Sequence, residues 1–219
     1  MESNFWHERW QRGETGWHLP HVHPMLEQGW FRLALPRGAR VLLPLCGKSE
    51  DMAWLADQGY RVVGVELSAA AAAAFFTEHD STSDIDAVGT FRRFRSSTIE
   101  ILCGDFFRLD AAQLGAVDAV YDRGALVALP PAMREQYVGQ LRTLAPTPLP
   151  GLLITLDYPQ EQMDGPPFAV SDTDVEQYFG ATHTIELLTR TDALDDSPRF
   201  RERGVTRMTE NAFALTPRP

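Results

Sequence analysis

Four short stretches of this sequence hold residue types, at spacings, that can do chemistry. The first, Leu43-Pro44-Leu45-Cys46-Gly47-Lys48-Ser49, leaves an apolar run and turns on a glycine. The second is Glu66, which closes another apolar run about twenty residues later. A carboxylate has two acceptor oxygens, so an acid placed there can bind both hydroxyls of a ribose; the plainer alternative is a solvated acid at a strand end. The third is Asp105-Phe106, which follows a third apolar run. The acid suits an adenine amino group, and the ring either packs on the base or fills the core. The fourth is Tyr121-Asp122-Arg123-Gly124-Ala125-Leu126. Its arginine presents a rigid fork of donors to a carboxylate tail or an anionic substrate, unless it serves as a structural partner of Asp122.

Other chemistries fit the residues less well. A dinucleotide fingerprint needs three glycines in the first loop, and only Gly47 is present. Gly47-Lys48-Ser49 echoes the end of a Walker loop without its spacing, which points to a cofactor that carries no phosphate. His18, His21 and His23 invite a metal, but they lie in a Pro-flanked loop without a fourth ligand, so none is expected. Cys46 and Cys103 are the only cysteines. In a sheet ordered 3-2-1 their strands stand two apart, roughly 9–10 Å, beyond the reach of a disulfide. Both read as free thiols.

The elements that must position these residues alternate. Strands are expected at Arg40–Leu45, Arg61–Leu67, Ile99–Cys103, Val117–Tyr121, Leu152–Asp157, Thr184–Thr189 and Val205–Leu215, each an apolar or β-branched run. Helical spacing covers Met25–Leu35, Ser49–Gln58, Met133–Leu144 and Val175–Phe179, and Ser68 caps a helix that begins with Ala69 to Ala74. Residues Asp80 to Gly89 read as a polar loop. Strands alternating with helices imply an α/β fold, a doubly wound and mostly parallel seven-stranded sheet covered on both faces. The last two strands, with no convincing helix between them, imply an antiparallel edge. Ligands bind such sheets outside the carboxyl ends of the strands, where strand order reverses, which is where the four stretches fall.

Length and composition are consistent with this. The 219 residues suit a single domain, 1–219, and 44% of them are hydrophobic, enough for a packed core. The formal net charge of −10 repels phosphate backbones, so a small molecule is expected as partner and no nucleic acid. No stretch is apolar for long enough to span a bilayer, Met1 to Gln11 lacks the apolar core of a signal peptide, and two cysteines suit a reducing compartment. A cytoplasmic monomer without membrane partners is expected. Trp6, Trp10 and Trp17 precede the first strand, where the fold needs no residues. Rings spent there need something to cover, so residues 1–35 are expected to form a lid over the site, with a plug of the core as the alternative.

With these residues in place, the chain resembles the thiopurine S-methyltransferase family. The likeness runs through Phe5-Trp6-His7 with Trp10 and Gly13, Pro44-Leu45-Cys46-Gly47-Lys48, Gly64-Val65-Glu66-Leu67-Ser68, Asp122-Arg123-Gly124-Ala125-Leu126 and Gly165-Pro166-Pro167-Phe168. It covers nearly the whole chain, and its short N terminus is similar to the bacterial-type members. The resemblance implies a class I methyltransferase fold of Rossmann-like topology and S-adenosylmethionine (SAM), which has no phosphates, as cofactor. It implies cofactor contacts at Trp10, Leu45, Glu66, Phe106 and Arg123. Asp105 belongs with these, although some relatives have serine there. Trp17 corresponds to an aromatic near the substrate that is phenylalanine in some members. The implied reaction is in-line methyl transfer to the sulfur of thiopurines or related aromatic and heterocyclic thiols. An acidic thiol supplies its own thiolate, and orientation alone can contribute roughly 7–11 kcal/mol, so no catalytic base is expected; Asp122 is a candidate only if the nucleophile must be deprotonated. The alternatives are a methyltransferase for selenium or tellurium compounds, a SAM-binding sensor without turnover, and a nucleotide-dependent oxidoreductase, which the missing glycines disfavour.

Overall fold

A computed structural model describes residues 3–195 and 198–219; Met1 and Glu2, at the head of the expected lid, and Asp196 and Ser197 lie outside the described residues. The strands are Arg40–Pro44 (β1), Arg61–Glu66 (β2), Asp84–Val88 (β3), Phe91–Arg95 (β4), Ile99–Cys103 (β5), Ala119–Arg123 (β6), Gly151–Asp157 (β7), His183–Asp192 (β8) and Thr209–Pro217 (β9). The helices are Ser3–Arg12 (α1), Pro24–Gly29 (α2), Glu50–Asp57 (α3), Ala69–Glu78 (α4), Ala111–Leu114 (α5), Pro131–Leu144 (α6), Asp172–Phe179 (α7) and Pro198–Glu202 (α8).

One sheet runs β3-β4-β5-β2-β1-β6-β7-β9-β8. Its centre, β5-β2-β1-β6-β7, is parallel, and β9 pairs antiparallel with both β7 and β8. Successive strand residues point to opposite faces. Val41, Leu43, Val62 and Ile101 therefore pack with Met52, Leu55 and Phe75 of α3 and α4 on one side. Leu42, Val63, Val65 and Leu102 pack with Tyr137 and Val138 of α6 and Val175 of α7 on the other. The alanine run is an ordinary helix: Ser68 accepts from the Ala71 amide at its start, and Ala71 and Ala72 are fully buried, where small side chains let α4 lie close to its neighbours.

The doubly wound α/β sheet is as expected, but it is mixed: its parallel centre is flanked by antiparallel pairings at both edges rather than one, and among the described residues it has nine strands rather than seven. Residues 80–89, read as a loop, contain β3, and β3 and β4 form an antiparallel hairpin added beside β5. Most of β3 is exposed, so it carries no apolar alternation to betray it. Cross-strand ion pairing, Arg93 Nε to Asp86 Oδ1 at 2.8 Å, takes the place of burial. At the other end β9 begins at Thr209, later than expected, because Val205 and Met208 turn into a small separate cluster with Phe200 of α8. The segment 1–35 also divides. Met25, Leu26 and Trp30 belong to the main core, whereas residues before them lie over the strand ends.

Candidate functional site

Strand order reverses between β1 and β6, since β1 leads to β2 and β5 on one side and β6 to β7 on the other. A cavity of about 550 Å³ opens at that point, a size suited to a small-molecule ligand. Leu45, Cys46, Gly47 and Lys48 after β1, Glu66 at the end of β2, and Arg123 and Gly124 after β6 line it. Leu45 has φ +48°, a left-handed conformation that costs a bulky residue on the order of 1–3 kcal/mol. Gly47 has φ +58°, and a Cβ there would sit 3.2 Å from the Trp10 ring, so both the turn and the lid contact favour glycine. Turned this way, the Gly47 amide donates to Glu66 Oε2 at 2.9 Å, and the Ser68 amide donates to Oε1 at 2.6 Å. The Leu67 amide also contributes to holding the carboxylate, which lines the cavity. Burial pushes the Glu66 carboxyl up to about 7, against the pull of these amides.

Five of the seven site residues expected from sequence line this one cavity: Trp10, Trp17, Leu45, Glu66 and Arg123. Trp17 meets Trp6 and Trp10 edge-on, with ring centroids 5.2 and 5.9 Å apart. Asp105 and Phe106 do not line it. Phe106 is buried in the core on the α6 side, tilted against Tyr137, and Asp105 spends a side-chain oxygen capping its own turn at the Phe107 amide. The alternative of an Arg123–Asp122 pair also fails: neighbours on a strand face opposite ways. Asp122 is buried, accepts from Tyr137 Oη at 2.7 Å and the Leu126 amide at 3.1 Å, and burial raises it to about 6. It holds the turn after β6 and faces away from the cavity.

Several lining residues escaped the sequence reading. Arg199 and Arg203, from and just after α8, join Arg123 at the cavity, and among the described residues none of the three pairs with a carboxylate. Arg199 donates to the Gly16 carbonyl; burial lowers its affinity for the proton, and the charges of Arg203 and Arg123 lower it further. Glu210 at the start of β9 lines the opposite wall with His23. Nothing in local spacing marks these positions, because they come to the site through the long antiparallel return of β9. The three loop histidines do not converge. His18 approaches Glu50 and Glu78, but Lys48 already sits on Glu78 at 2.7 Å and His79 on Glu50 at 3.1 Å, so the group forms an ion-pair network under the N-terminal segment. Cys46 and Cys103 are both free and buried, and burial raises both thiols.

The residues fit the cofactor named above. A buried carboxylate and three tryptophans line the cavity, and the loop after β1 lacks a glycine-rich cradle for phosphates. Comparison with known proteins agrees. A family model described as thiopurine S-methyltransferase matches residues 1–218. A thiopurine S-methyltransferase of Pseudomonas aeruginosa (strain UCBPP-PA14) is 49% identical over 215 residues, 98% of this chain and 99% of the relative. One of Pseudomonas fluorescens (strain SBW25) is 49% identical over 218 residues, 100% of both chains. Among solved structures, a SAM-dependent methyltransferase from Anabaena variabilis superposes with TM-score 0.64 at 16% identity, covering 99% of this chain and 95% of that one. The 1,6-didemethyltoxoflavin-N1-methyltransferase of Burkholderia thailandensis, with S-adenosylhomocysteine bound, superposes with TM-score 0.61 at 15% identity, covering 98% and 87%. At such identities the structural likeness speaks to fold.

Proposed function

The chain belongs to the thiopurine S-methyltransferase family and is a SAM-dependent methyltransferase, and from that premise we propose that it methylates the sulfur of thiopurines or related aromatic and heterocyclic thiols. The observation that carries this reading is the make-up of one cavity across the sheet. Glu66, Gly47 and Leu45 line it together with Arg123, Arg199, Arg203 and Glu210 and with apolar residues such as Ile154, Leu156 and Met208. Bound SAM supplies a methyl group on a sulfonium, open to in-line attack by a soft nucleophile. Glu66 would hold the ribose, Leu45 and Trp10 would contact the cofactor, and Arg123 would bind its carboxylate tail or an anionic substrate, since all four line this cavity. Trp17 packs on a flat substrate ring and, with Trp6 and Trp10, keeps water from the reacting atoms. Unpaired guanidiniums favour a substrate that is anionic or easily ionised. The same feature favours a second reading, selenium or tellurium oxyanions.

A SAM-dependent methylation screen over thiopurines, aromatic thiols and selenium oxyanions, read by product mass, tests both. Methylated thiopurine or aromatic thiol is the expected product. Methylation of selenium alone would replace the sulfur reading by the second one, and tight SAM binding with no product from any acceptor would leave a sensor.

A further inference from the structure

Glu210 reaches the cavity with one carboxylate oxygen already engaged by His23. The Met25 amide donates to His23 Nδ1 at 3.2 Å, so the ring proton of neutral His23 is on Nε2, 3.1 Å from Glu210 Oε1. His23 is buried, its ring oriented by the Met25 amide and its backbone amide donating to Asp51 Oδ1 at 2.8 Å, while Asp51 Oδ2 accepts from Tyr121 Oη at 2.9 Å. Tyr121, Asp51 and His23 thus form a fixed chain from the core to one oxygen of Glu210. The other oxygen, Oε2, has no hydrogen-bond partner among the described residues, and Glu210 lines the cavity. In the sheet Glu210 pairs with Leu156 of β7, and Arg123 of β6 pairs with Ile154 of β7. The two residues therefore lie two strands apart and two residue steps offset along β7, roughly 11–12 Å between Cα atoms, and both line the cavity.

We infer that Glu210, oriented by His23, is the proton acceptor for substrates that present sulfur as a thione beside a ring N–H. This rests on the sulfur reading above. A thiolactam is a poor nucleophile until its N–H is polarised. As the sulfur attacks, the S–CH3 bond to substrate forms and the S–CH3 bond of the sulfonium breaks, the sulfonium leaving as a neutral thioether. The N–H electron pair moves into the ring, and the proton passes to Glu210 Oε2. A substrate already ionised as a thiolate needs no such acceptor, so Glu210 separates two classes of thiol. His23 is a positioning residue in this scheme. The titratable and charged groups around Glu210 are His23, Tyr121 with Asp51 and Arg123 beyond it, and Asp192, Arg199 and Arg203 on the same cavity.

The test compares the parent with Glu210→Gln, which keeps size and the hydrogen bond from His23. The substrates are 6-mercaptopurine, a thione at neutral pH, and 5-thio-2-nitrobenzoate, a thiolate. With the thione, kcat at saturating SAM should fall on the order of 10²-fold. With the thiolate, the change should stay within about threefold, well short of a general-base loss. Calorimetry should show unchanged SAM affinity and weaker binding of 6-mercaptopurine in the presence of S-adenosylhomocysteine, a readout that involves no turnover. Equal losses on both substrates, or none on the thione, would overturn the assignment while leaving the sulfur reading intact. A parent that methylates neither thiol overturns both.

Discussion

Arg123 shows how much a single position in this cavity decides. It ends β6 at the point where strand order reverses, and among the described residues no carboxylate pairs with its guanidinium. Its role rests on shape as well as charge, because a guanidinium forms two parallel hydrogen bonds in one plane and an ammonium cannot. Arg123→Lys should therefore behave nearly as badly as Arg123→Ala, with kcat/KM down at least tenfold, equivalent to about 1.4 kcal/mol. Steady-state kinetics on the best thiol from the screen checks this; a lysine variant as active as the parent would reduce Arg123 to a source of positive potential. Sequence alone marked Arg123 because it closes a strand at a predictable place. It could not mark Arg199, Arg203 or Glu210, which owe their position to tertiary return rather than local spacing. For Phe106 the sequence left two places open, the base or the core, because an aromatic beside a strand end has two faces to choose from; its ring packs on Tyr137 in the core.

Elements of the parallel sheet were legible because each is buried on both faces and reads as a continuous apolar run. The hairpin of β3 and β4 was not, since most of its outer strand is exposed and polar. The N-terminal segment, expected as one cover over residues 1–35, divides instead. Its rings lie over the strand ends only as far as His23, beyond which Trp30 meets Tyr60 and Tyr121 inside the core. This boundary sharpens the test of a lid. Deleting residues 1–17 removes Trp6, Trp10 and Trp17 and leaves Met25, Leu26 and Trp30 in place. Such a truncation should keep a cooperative thermal transition, weaken SAM binding and abolish transfer. In the intact protein, SAM and product should slow hydrogen exchange at the backbone amides of Trp6 to Trp17. A truncated protein that no longer melts cooperatively, or exchange unaffected by saturating ligand, would mean these rings plug the core.

At the scale of the whole molecule, the site and the stability of the fold oppose each other through Glu66. Its carboxyl titrates at about 7 in the folded protein, against an ordinary value of 4.5, because burial penalises the charge more than the Gly47 and Ser68 amides repay it. A folded pKa raised above the unfolded one contributes stability that is complete below about 4.5 and is lost as pH rises toward 7. At pH 8 the free protein holds a buried charge whose cost, about 2.5 pH units at 1.36 kcal/mol each, is on the order of 3 kcal/mol. Asp122, raised to about 6, acts in the same direction. His18 and His183, whose values burial lowers, act oppositely as pH falls below 6.5, so the parent's own pH curve is a mixture. Comparison with Glu66→Gln isolates the one group. Urea unfolding without ligand should find the two proteins within about 1 kcal/mol at pH 5, and the glutamine variant more stable by roughly 3 kcal/mol at pH 8. The ribose hydroxyls are the natural partners of that stranded charge, so SAM should reverse the order. Calorimetric affinity in the parent should weaken as pH falls from 8 to 6, by up to about tenfold for one unit below the pKa, and should stay flat in the variant. A glutamine variant that binds SAM as tightly as the parent at pH 8 would remove the ribose assignment. Equal stability of the two at pH 8 would mean that the free carboxylate reaches water and that the site holds no such strain in waiting.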